Sequence, residues 1–171
     1  MLSARDVTLR PQTAADTLQL ATWLTDPQAE WRRWDAPYLQ ADAELEPDEA
    51  DAPHERLIVV DGAAVGLVTR FAESPRSGGW WELGILIHDP HHWGGGLGTR
   101  ALRLWTALTF AETSAHVLTL TTWSGNPRML RAAEKSGYRE CARVREARLW
   151  QGVRYDSVRL EMLRREWESG A

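Results

Sequence analysis

Residues 82–99 read ELGILIHDPHHWGGGLGT, and this stretch joins an apolar run to a loop that is rich in glycine. The apolar run predicts a β-strand over residues 80–87. Regular spacing of apolar side chains after the loop predicts a helix over residues 97–112. The first turn of a helix leaves backbone N–H groups unpaired and carries a partial positive charge, and glycine lets a ligand approach the backbone closely. We therefore expect the loop to bind a phosphate or a pyrophosphate.

The glycine pattern excludes two common phosphate-binding loops. The Walker A pattern ends in Gly-Lys-Ser/Thr, and this loop has no lysine. The dinucleotide pattern GxGxxG requires a third glycine where Thr99 stands, and its loop follows the first strand of the fold. What the loop does contain is GxG at Gly96 and Gly98, preceded by Trp93-Gly94. The remaining alternative is a glycine-rich turn that binds nothing.

The rest of the chain predicts strands and helices on both sides of this stretch. An Asp-Gly pair at 61–62 between two apolar runs predicts a hairpin. Asn126 is a favourable helix N-cap, and Gly137 is a favourable helix stop. Further strands are predicted over residues 7–10, 57–60, 65–71, 117–122, 138–150 and 154–163, and further helices over 13–25, 27–34 and 126–136.

Length and composition narrow the class of protein. The chain has 171 residues, which suits one domain over residues 1–171, and 26% of them are charged. Cys141 is the one cysteine, so an internal disulfide is excluded. The net charge of −4 disfavours a nucleic-acid partner, and no apolar run approaches the ~18 residues that a membrane span requires. We expect a soluble, cytoplasmic protein that binds neither nucleic acid nor a membrane.

Residues 42–55 form the most polar stretch of the chain, with seven acidic residues and neither Lys nor Arg. A solvated loop is one interpretation of this composition. The alternative is a lid that attracts a cationic substrate. The residues alone leave both interpretations open.

Residues 82–99 resemble motif A of the GNAT acetyltransferases, whose pattern is Gln/Arg-x-x-Gly-x-Gly/Ala. Trp93 stands at the Gln/Arg position, as it often does in the branch of ribosomal-protein N-terminal acetyltransferases and spermidine acetyltransferases. Residues 126–138, NPRMLRAAEKSGY, and residues 150–156, WQGVRYD, resemble later motifs of the same branch. Leu9-Arg10-Pro11 with Asp16 resembles its opening. The ordered set of motifs covers nearly the whole chain.

The resemblance implies an α/β (α+β) fold, with one mixed, mostly antiparallel sheet of about seven strands that splays apart between strands 4 and 5, and helices on both faces. It implies acetyl-CoA as a co-substrate. A metal is not expected, since the adjacent histidines of this stretch lack further ligands nearby. The pantetheine arm would pair with the main chain of Leu86, Ile87 and His88. The pyrophosphate would contact the backbone of Trp93, Gly94, Gly95, Gly96, Leu97, Gly98 and Thr99.

The resemblance also implies roles for side chains. Glu82 is the expected base, acting through water or by binding the substrate ammonium; the alternative is a surface Glu on a strand. Asn126 would bind near the pantetheine or the thioester, a role that can coexist with an N-cap role. Ala133 stands where many GNAT enzymes carry a Tyr that protonates or stabilises the leaving thiolate. Tyr138 is not expected to take over that role. Trp34 is expected to line the acceptor site; the alternative is core packing.

The implied reaction is the transfer of an acetyl group from acetyl-CoA to a primary amine by direct attack on the thioester. The acceptor stays open between a protein N-terminus and a small amine such as a polyamine or an aminoglycoside. The alternative function is a CoA-binding module or sensor without catalysis. A third hypothesis, a nucleic-acid partner, stems from eight Arg against four acidic residues over 139–165, and the overall charge disfavours it. A homodimer agrees with the resemblance, since the last strands often pair in relatives.

Overall fold

The computed structural model describes residues 6–39 and 54–170, which build a seven-stranded mixed sheet with helices on both faces. The strands are β1 (Val7–Arg10), β2 (Glu55–Val60), β3 (Ala63–Ala72), β4 (Trp80–Ile87), β5 (Val117–Trp123), β6 (Arg139–Trp150) and β7 (Val153–Leu163). The helices are α1 (Thr17–Thr25), α2 (Leu97–Glu112), α3 (Pro127–Lys135) and α4 (Arg164–Ser169). The strand order across the sheet is β1-β2-β3-β4-β5-β7-β6.

The sheet divides between β4 and β5. β4 pairs antiparallel with β3 along its whole length. Its parallel pairing with β5 spans three residue pairs, the last of which joins Glu82 to Thr119. Beyond this pair the two strands separate, and we call the opening between them the fork. The expected splay is therefore confirmed, and one edge of β4 carries main-chain groups without a strand partner.

Alternation along the strands places apolar side chains on both faces of the sheet. On β2, Ile58 packs in a cluster with residues of α2, whereas Leu57 packs with residues of α1. Trp105 on α2 is fully buried, and its indole N–H donates to the Thr69 carbonyl over 2.7 Å, as a buried indole requires. α2 and α1 thus cover opposite faces of the sheet.

The strand predicted over 80–87, the helix predicted over 97–112 and the hairpin of β2 and β3 are confirmed. The prediction of a helix over 27–34 is wrong in type and length, because this segment forms only a 3-10 helix over Glu30–Arg33. The Asp26 carboxylate accepts the Gln28 N–H over 2.9 Å, and this Asx turn competes with helix formation. α4 adds a short helix that the residue pattern does not predict.

The helix predicted over 13–25 is present as a 3-10 turn, Ala14–Asp16, that leads into α1. The Asp16 carboxylate receives two bonds of 2.7 Å from the Arg10 guanidinium and one of 2.8 Å from the Thr13 N–H. The Arg10 contact, followed by those of Thr13, holds the pKa of Asp16 well below its usual range. These bonds tie the end of β1 to the start of α1.

Two expectations are not settled by the fold. Residues 42–53 of the acidic stretch lie outside the described residues, so both interpretations of that stretch stay open. β6 lies at the edge of the sheet and is largely exposed, and the homodimer stays a prediction. Within residues 6–39 and 54–170, no helix is both long and apolar enough to span a membrane.

Candidate functional site

A pocket of about 290 Å³ opens at the fork, where β4, the glycine loop and α3 meet. We call it the fork pocket. Gly95, His88 and Glu82 lie outside its wall, whereas the other residues expected at the site line it. The lining residues are Trp31, Trp34, Ile85, Leu86, Ile87, His92, Trp93, Gly94, Gly96, Leu97, Gly98, Thr99, Asn126, Arg128, Met129, Arg131, Ala132 and Lys135.

The β4 residues whose backbone N–H and C=O groups face the fork differ from those that the resemblance implies. The His88 N–H donates to the Val65 carbonyl over 2.9 Å, so His88 faces β3. Residues of an antiparallel ladder alternate between facing the partner strand and facing away from it. Leu86 therefore also turns its main chain to β3, while Ile85 and Ile87 turn theirs toward the fork. The pairing expected of Leu86 and His88 is corrected to Ile85, with Ile87 retained.

The glycine loop reaches α2 through backbone conformations that favour glycine. Gly94 has a φ of 81° and Gly96 has a φ of 79°, in the left-handed region that other side chains disfavour. Gly96 is the N-cap of α2, and no side chain among the described residues caps this helix. The first-turn residues Gly98 and Thr99 line the pocket. Their end of α2 therefore presents uncapped N–H groups that suit a phosphate oxygen.

The opposite wall of the pocket is positively charged. Arg128, Arg131 and Lys135 are three and four residues apart, so they share one face of α3, and all three line the pocket. Among the described residues that form the lining, none is Asp or Glu. This basic stripe is absent from the expected site, although the spacing of its cations along a predicted helix could have indicated it. A chain with a net charge of −4 thus gathers cations beside the glycine loop.

Arg128 lies between two tryptophans of the pocket. Its guanidinium carbon is 4.9 Å from the ring centroid of Trp34 and 4.9 Å from that of Trp93, which are cation–π contacts. The Trp93 indole N–H also donates to the Ile87 carbonyl over 3.0 Å. Trp93, at the position where the GNAT pattern has Gln or Arg, therefore ties the glycine loop to β4.

Asn126 joins α3 to the segment that carries Trp34. Its Oδ1 accepts the Met129 N–H over 3.1 Å, which makes Asn126 the N-cap of α3. Its Nδ2 donates to the Trp34 carbonyl over 3.3 Å, and the Trp123 indole donates to the same carbonyl over 3.0 Å. Both polar atoms of the Asn126 side chain are thus engaged within the protein, where they position half-buried Trp34 at the pocket.

The His88 ring lies outside the pocket wall, in an aromatic cluster. It stacks on Trp23 with ring centroids 4.4 Å apart and meets the edge of Trp31 at 5.2 Å. His88 is 4% exposed, and burial lowers its pKa to about 4. Neither ring nitrogen has a hydrogen-bond partner among the described residues. The neutral ring therefore supports Trp31, which is part of the pocket wall.

The two following histidines are bound to one carboxylate. The Asp89 carboxylate lies 2.9 Å from His91 Nδ1 and 3.1 Å from His92 Nδ1, and it also accepts the His91 N–H. Across the part of the chain that the structure describes, no group of three or more His, Cys, Asp or Glu residues could hold a metal ion. These histidines thus shape the turn that precedes the glycine loop.

Glu82 lies at the base of the fork, as the last residue of β4 that pairs with β5. The residue is 7% exposed, so the alternative of a surface residue is wrong. Thr119 on β5 donates its hydroxyl to Glu82 Oε2, and Arg159 Nε lies 4.0 Å from the same oxygen. The base of the fork therefore holds a buried carboxylate with two partners at the point where β4 and β5 part.

The α3 position that carries a tyrosine in many GNAT enzymes is Ala133, which is fully buried in the core. Tyr138 is 3% exposed, and its hydroxyl shares a hydrogen bond of 2.7 Å with Thr106. Burial raises the pKa of Tyr138 well above its usual value, against the smaller effect of the Thr106 bond. Tyr138 is therefore a core residue whose hydroxyl is engaged with Thr106.

Solved structures of acetyltransferases are similar to this chain in fold. AAC(6')-Ib, an aminoglycoside acetyltransferase in complex with coenzyme A and kanamycin, is 21% identical with a TM-score of 0.72, and the match covers 96% of this chain and 98% of that one. A GNAT-family acetyltransferase from Bacillus anthracis is 13% identical with a TM-score of 0.71, over 92% and 94% of the two chains. A chimera of the spermidine N-acetyltransferase SpeG from Vibrio cholerae and hSSAT is 21% identical with a TM-score of 0.69, over 95% and 98%.

The family assignment rests on a match between the sequence and a family domain, and not on the similarity of fold alone. Residues 6–139 match the acetyltransferase (GNAT) domain, and this range contains the fork, the glycine loop and the basic stripe of α3. β6 and β7 continue the same sheet after the matched range. The chain belongs to the GNAT family of acetyltransferases, which transfer an acetyl group from acetyl-CoA to an amine.

Proposed function

We propose that this chain acetylates the primary amine of a small cationic molecule, with acetyl-CoA as the donor. The observation that carries the proposal is the fork pocket, which lies beside the end of α2 and the edge of β4 at the fork. Its wall is cationic, and the described residues that line it include neither Asp nor Glu. Acetyl-CoA has phosphates at one end and amides along its arm, which these features match. The names of two enzymes similar in fold refer to aminoglycosides and spermidine, which are small cationic amines, and this favours a small acceptor over a protein N-terminus.

The residues of the pocket divide the binding of the donor between them. The first-turn N–H groups of α2 would hold the pyrophosphate, and Arg131 and Lys135 would add charge-assisted bonds to the phosphates. The main chain of Ile85 and Ile87 would pair with the amides of the arm, as a sheet edge pairs with an added strand. Trp93 must then release the Ile87 carbonyl, which its indole N–H holds in this structure.

Glu82 would act on the acceptor. An amine attacks the thioester carbonyl carbon only in its neutral form, so the ammonium proton must be taken up first. We assign that proton to the Glu82 carboxylate, reached directly or through one water molecule. The N–C bond then forms, the C–S bond breaks, and the thiolate leaves with the electron pair, while the nitrogen gives up its second proton to solvent as the neutral amide forms. Because Ala133 offers no hydroxyl, the thiolate takes its proton from solvent.

The proposal also covers the acceptor site, the domain organisation and the cellular location. Trp34 would line the acceptor site, with its carbonyl fixed by Asn126 and Trp123. Residues 1–171 would act as a single domain, since β6 and β7 belong to the same sheet as the matched range. A cytoplasmic location is proposed because the reaction consumes acetyl-CoA.

Calorimetric titration with acetyl-CoA tests the donor site. Gly96→Glu puts a negative charge at the N-cap of α2, and Gly152→Glu is its matched control. Gly152 lies in the turn between β6 and β7 with a φ of 76°, and a Cβ at either glycine would meet no atom within 4 Å. The two variants therefore carry similar backbone strain and the same charge. We expect wild type and Gly152→Glu to bind acetyl-CoA and Gly96→Glu to lose binding. Equal binding by the two variants, or none by wild type, would refute the site.

Release of CoA thiol in the presence of different amines tests the acceptor. Spermidine, kanamycin and a peptide with a free N-terminus are the probes. We expect turnover with a small amine and little with the peptide. Turnover with the peptide alone would show that the acceptor class is wrong. Binding of acetyl-CoA without turnover by any probe would favour the alternative of a CoA-binding module.

A further inference from the structure

The hydroxyl of Thr119 lies between an indole and a carboxylate at the base of the fork. Trp80 Nε1 donates to Thr119 Oγ1 over 2.7 Å, and the same oxygen is hydrogen-bonded to Glu82 Oε2. Thr119 is 3% exposed and Glu82 is 7% exposed, so bulk water does not compete for these bonds. The acetyl transfer described above assigns no role to Thr119 or Trp80.

The chemistry of the three groups fixes the direction of both hydrogen bonds. An indole nitrogen can only donate, and an ionised carboxylate can only accept, whereas a hydroxyl donates one bond and accepts two. The Trp80 N–H therefore occupies a lone pair of Thr119 Oγ1. The hydroxyl proton must then point at Glu82 Oε2, because turning it away would break a charge-assisted bond.

We propose that Thr119, oriented by Trp80, is a positioning residue that holds the Glu82 carboxylate by Oε2 and keeps its Oε1 atom free for the substrate proton. Within the described residues, hydrogen bonds reach Oε2 and none reaches Oε1. A carboxylate held by one oxygen cannot rotate freely, so the second oxygen keeps a fixed direction. The inference rests on the proposed role of Glu82 as the base.

Charged groups on β7 face Glu82 from the same side of the sheet. Arg159 Nε lies 4.0 Å from Oε2, and Glu161 is opposite Thr119 in the register of β5 and β7. Phe71, opposite Glu82 on β3, carries no charge. Arg159 and Glu161 carry opposite charges, and neither residue is changed in Thr119 variants. A changed pH profile in such a variant therefore reports the loss of the donated hydrogen bond.

The test compares Thr119→Val, which keeps the shape of the side chain without its hydroxyl, with Thr119→Ser, which keeps the hydroxyl. Thr122→Val is the matched control, since Thr122 is buried at 6% exposure on the same strand and faces the opposite side of the sheet. Trp80→Phe removes the donor to the hydroxyl but keeps an aromatic ring near the Arg159 guanidinium, which lies 5.2 Å from the Trp80 ring centroid, and it serves if Thr119→Val folds poorly. Each protein is assayed for kcat and KM across pH, with an amine that the wild type acetylates.

In Thr119→Val we expect kcat to fall about tenfold and the acidic limb of kcat/KM to move up by roughly one pH unit, with KM for acetyl-CoA unchanged. Thr119→Ser and Thr122→Val should keep the wild-type profile. Trp80→Phe should move the limb in the same direction by a smaller amount. A merely structural role would lower the melting temperature of Thr119→Val and leave the acidic limb in place, and that result would overturn the inference.

Glu82→Gln separates this inference from the function on which it rests. If Glu82→Gln turns over like wild type, Glu82 is not the base, and both proposals are wrong. If Glu82→Gln is inactive while folded Thr119→Val and Trp80→Phe keep the wild-type pH profile, the base is correctly assigned and only the role of Thr119 is wrong. Loss of activity in Glu82→Gln together with a displaced limb in Thr119→Val supports both.

Discussion

Protonation of His88 should cost this fold stability in mildly acidic solution. The ring packs between Trp23 and Trp31 at 4% exposure, and no described group accepts a proton from either nitrogen. Burial lowers the pKa of His88 to about 4, whereas a histidine of an unfolded chain titrates near ~6.5. As the pH falls, the unfolded state therefore binds the proton first, and stability is lost between these two values.

The size of the loss follows from the two pKa values of His88. At about pH 8 and above, the ring is neutral in both states and adds no pH dependence. Between about pH 7 and about pH 5 the folded state should lose about 2 kcal/mol, and the loss should level off at about 3 kcal/mol below about pH 4. The loss comes from this one buried ring, so a single substitution should remove it.

Urea unfolding across this pH range, for wild type and for His88→Phe, measures the effect. Phe keeps an aromatic ring against Trp23 and cannot bind a proton. The free energy of unfolding should fall between about pH 7 and about pH 5 by about 2 kcal/mol less in the variant than in wild type. Carboxylate contacts such as Arg10–Asp16 are present in both proteins and cancel in this difference. Equal pH dependence in the two proteins would refute the reasoning that His88 is buried in its neutral form.

Two further predictions concern the fork pocket. Arg131→Ala and Lys135→Ala should each raise KM for acetyl-CoA by about three- to tenfold and weaken the salt dependence of KM, because each removes a cation from the pocket wall. Arg139→Ala, which lies outside the wall, is the control. If steady-state kinetics gave an unchanged KM for both α3 variants, the proposed role of the basic stripe on α3 would be wrong. Asn126→Asp keeps the N-cap acceptor for Met129 but loses the donor to Trp34, whereas Asn126→Ala loses both. Only Asn126→Ala should lower the free energy of unfolding, by about 1 kcal/mol, which urea unfolding measures. Both Asn126 variants should raise KM for the amine, which steady-state titration with the amine measures.

The elements around the glycine loop could be predicted because their signals are local. The strand 80–87 and the helix 97–112 are found with the predicted bounds, since apolar spacing and the glycine loop mark both. The Asn126 N-cap follows from a similar local preference. The segment 27–34 also carries a helical signal, but the Asx turn at Asp26 competes with it, and packing of one buried Trp31 requires no more than a 3-10 turn.

The remaining parts of the site depend on strand register, which the sequence does not show. Whether Leu86 or Ile85 faces the fork changes with a shift of one residue in the pairing of β3 and β4. Glu82 and Thr119 are 37 residues apart, and only the pairing of β4 with β5 brings them together. The burial of Glu82 has the same origin, so its surface alternative could be excluded only with the structure.

The short pairing of β4 with β5 lets one sheet carry both the proposed donor edge and the proposed base. If the pairing continued past Glu82, the main chain of Ile85 and Ile87 would bond to β5, and no edge would remain for the amides of the donor. If the pairing ended before Glu82, Thr119 would not lie beside the carboxylate that it orients. A fork that begins at this one residue pair meets both conditions. The end of the β4–β5 ladder therefore fixes where the proposed donor arm can lie relative to the proposed proton acceptor.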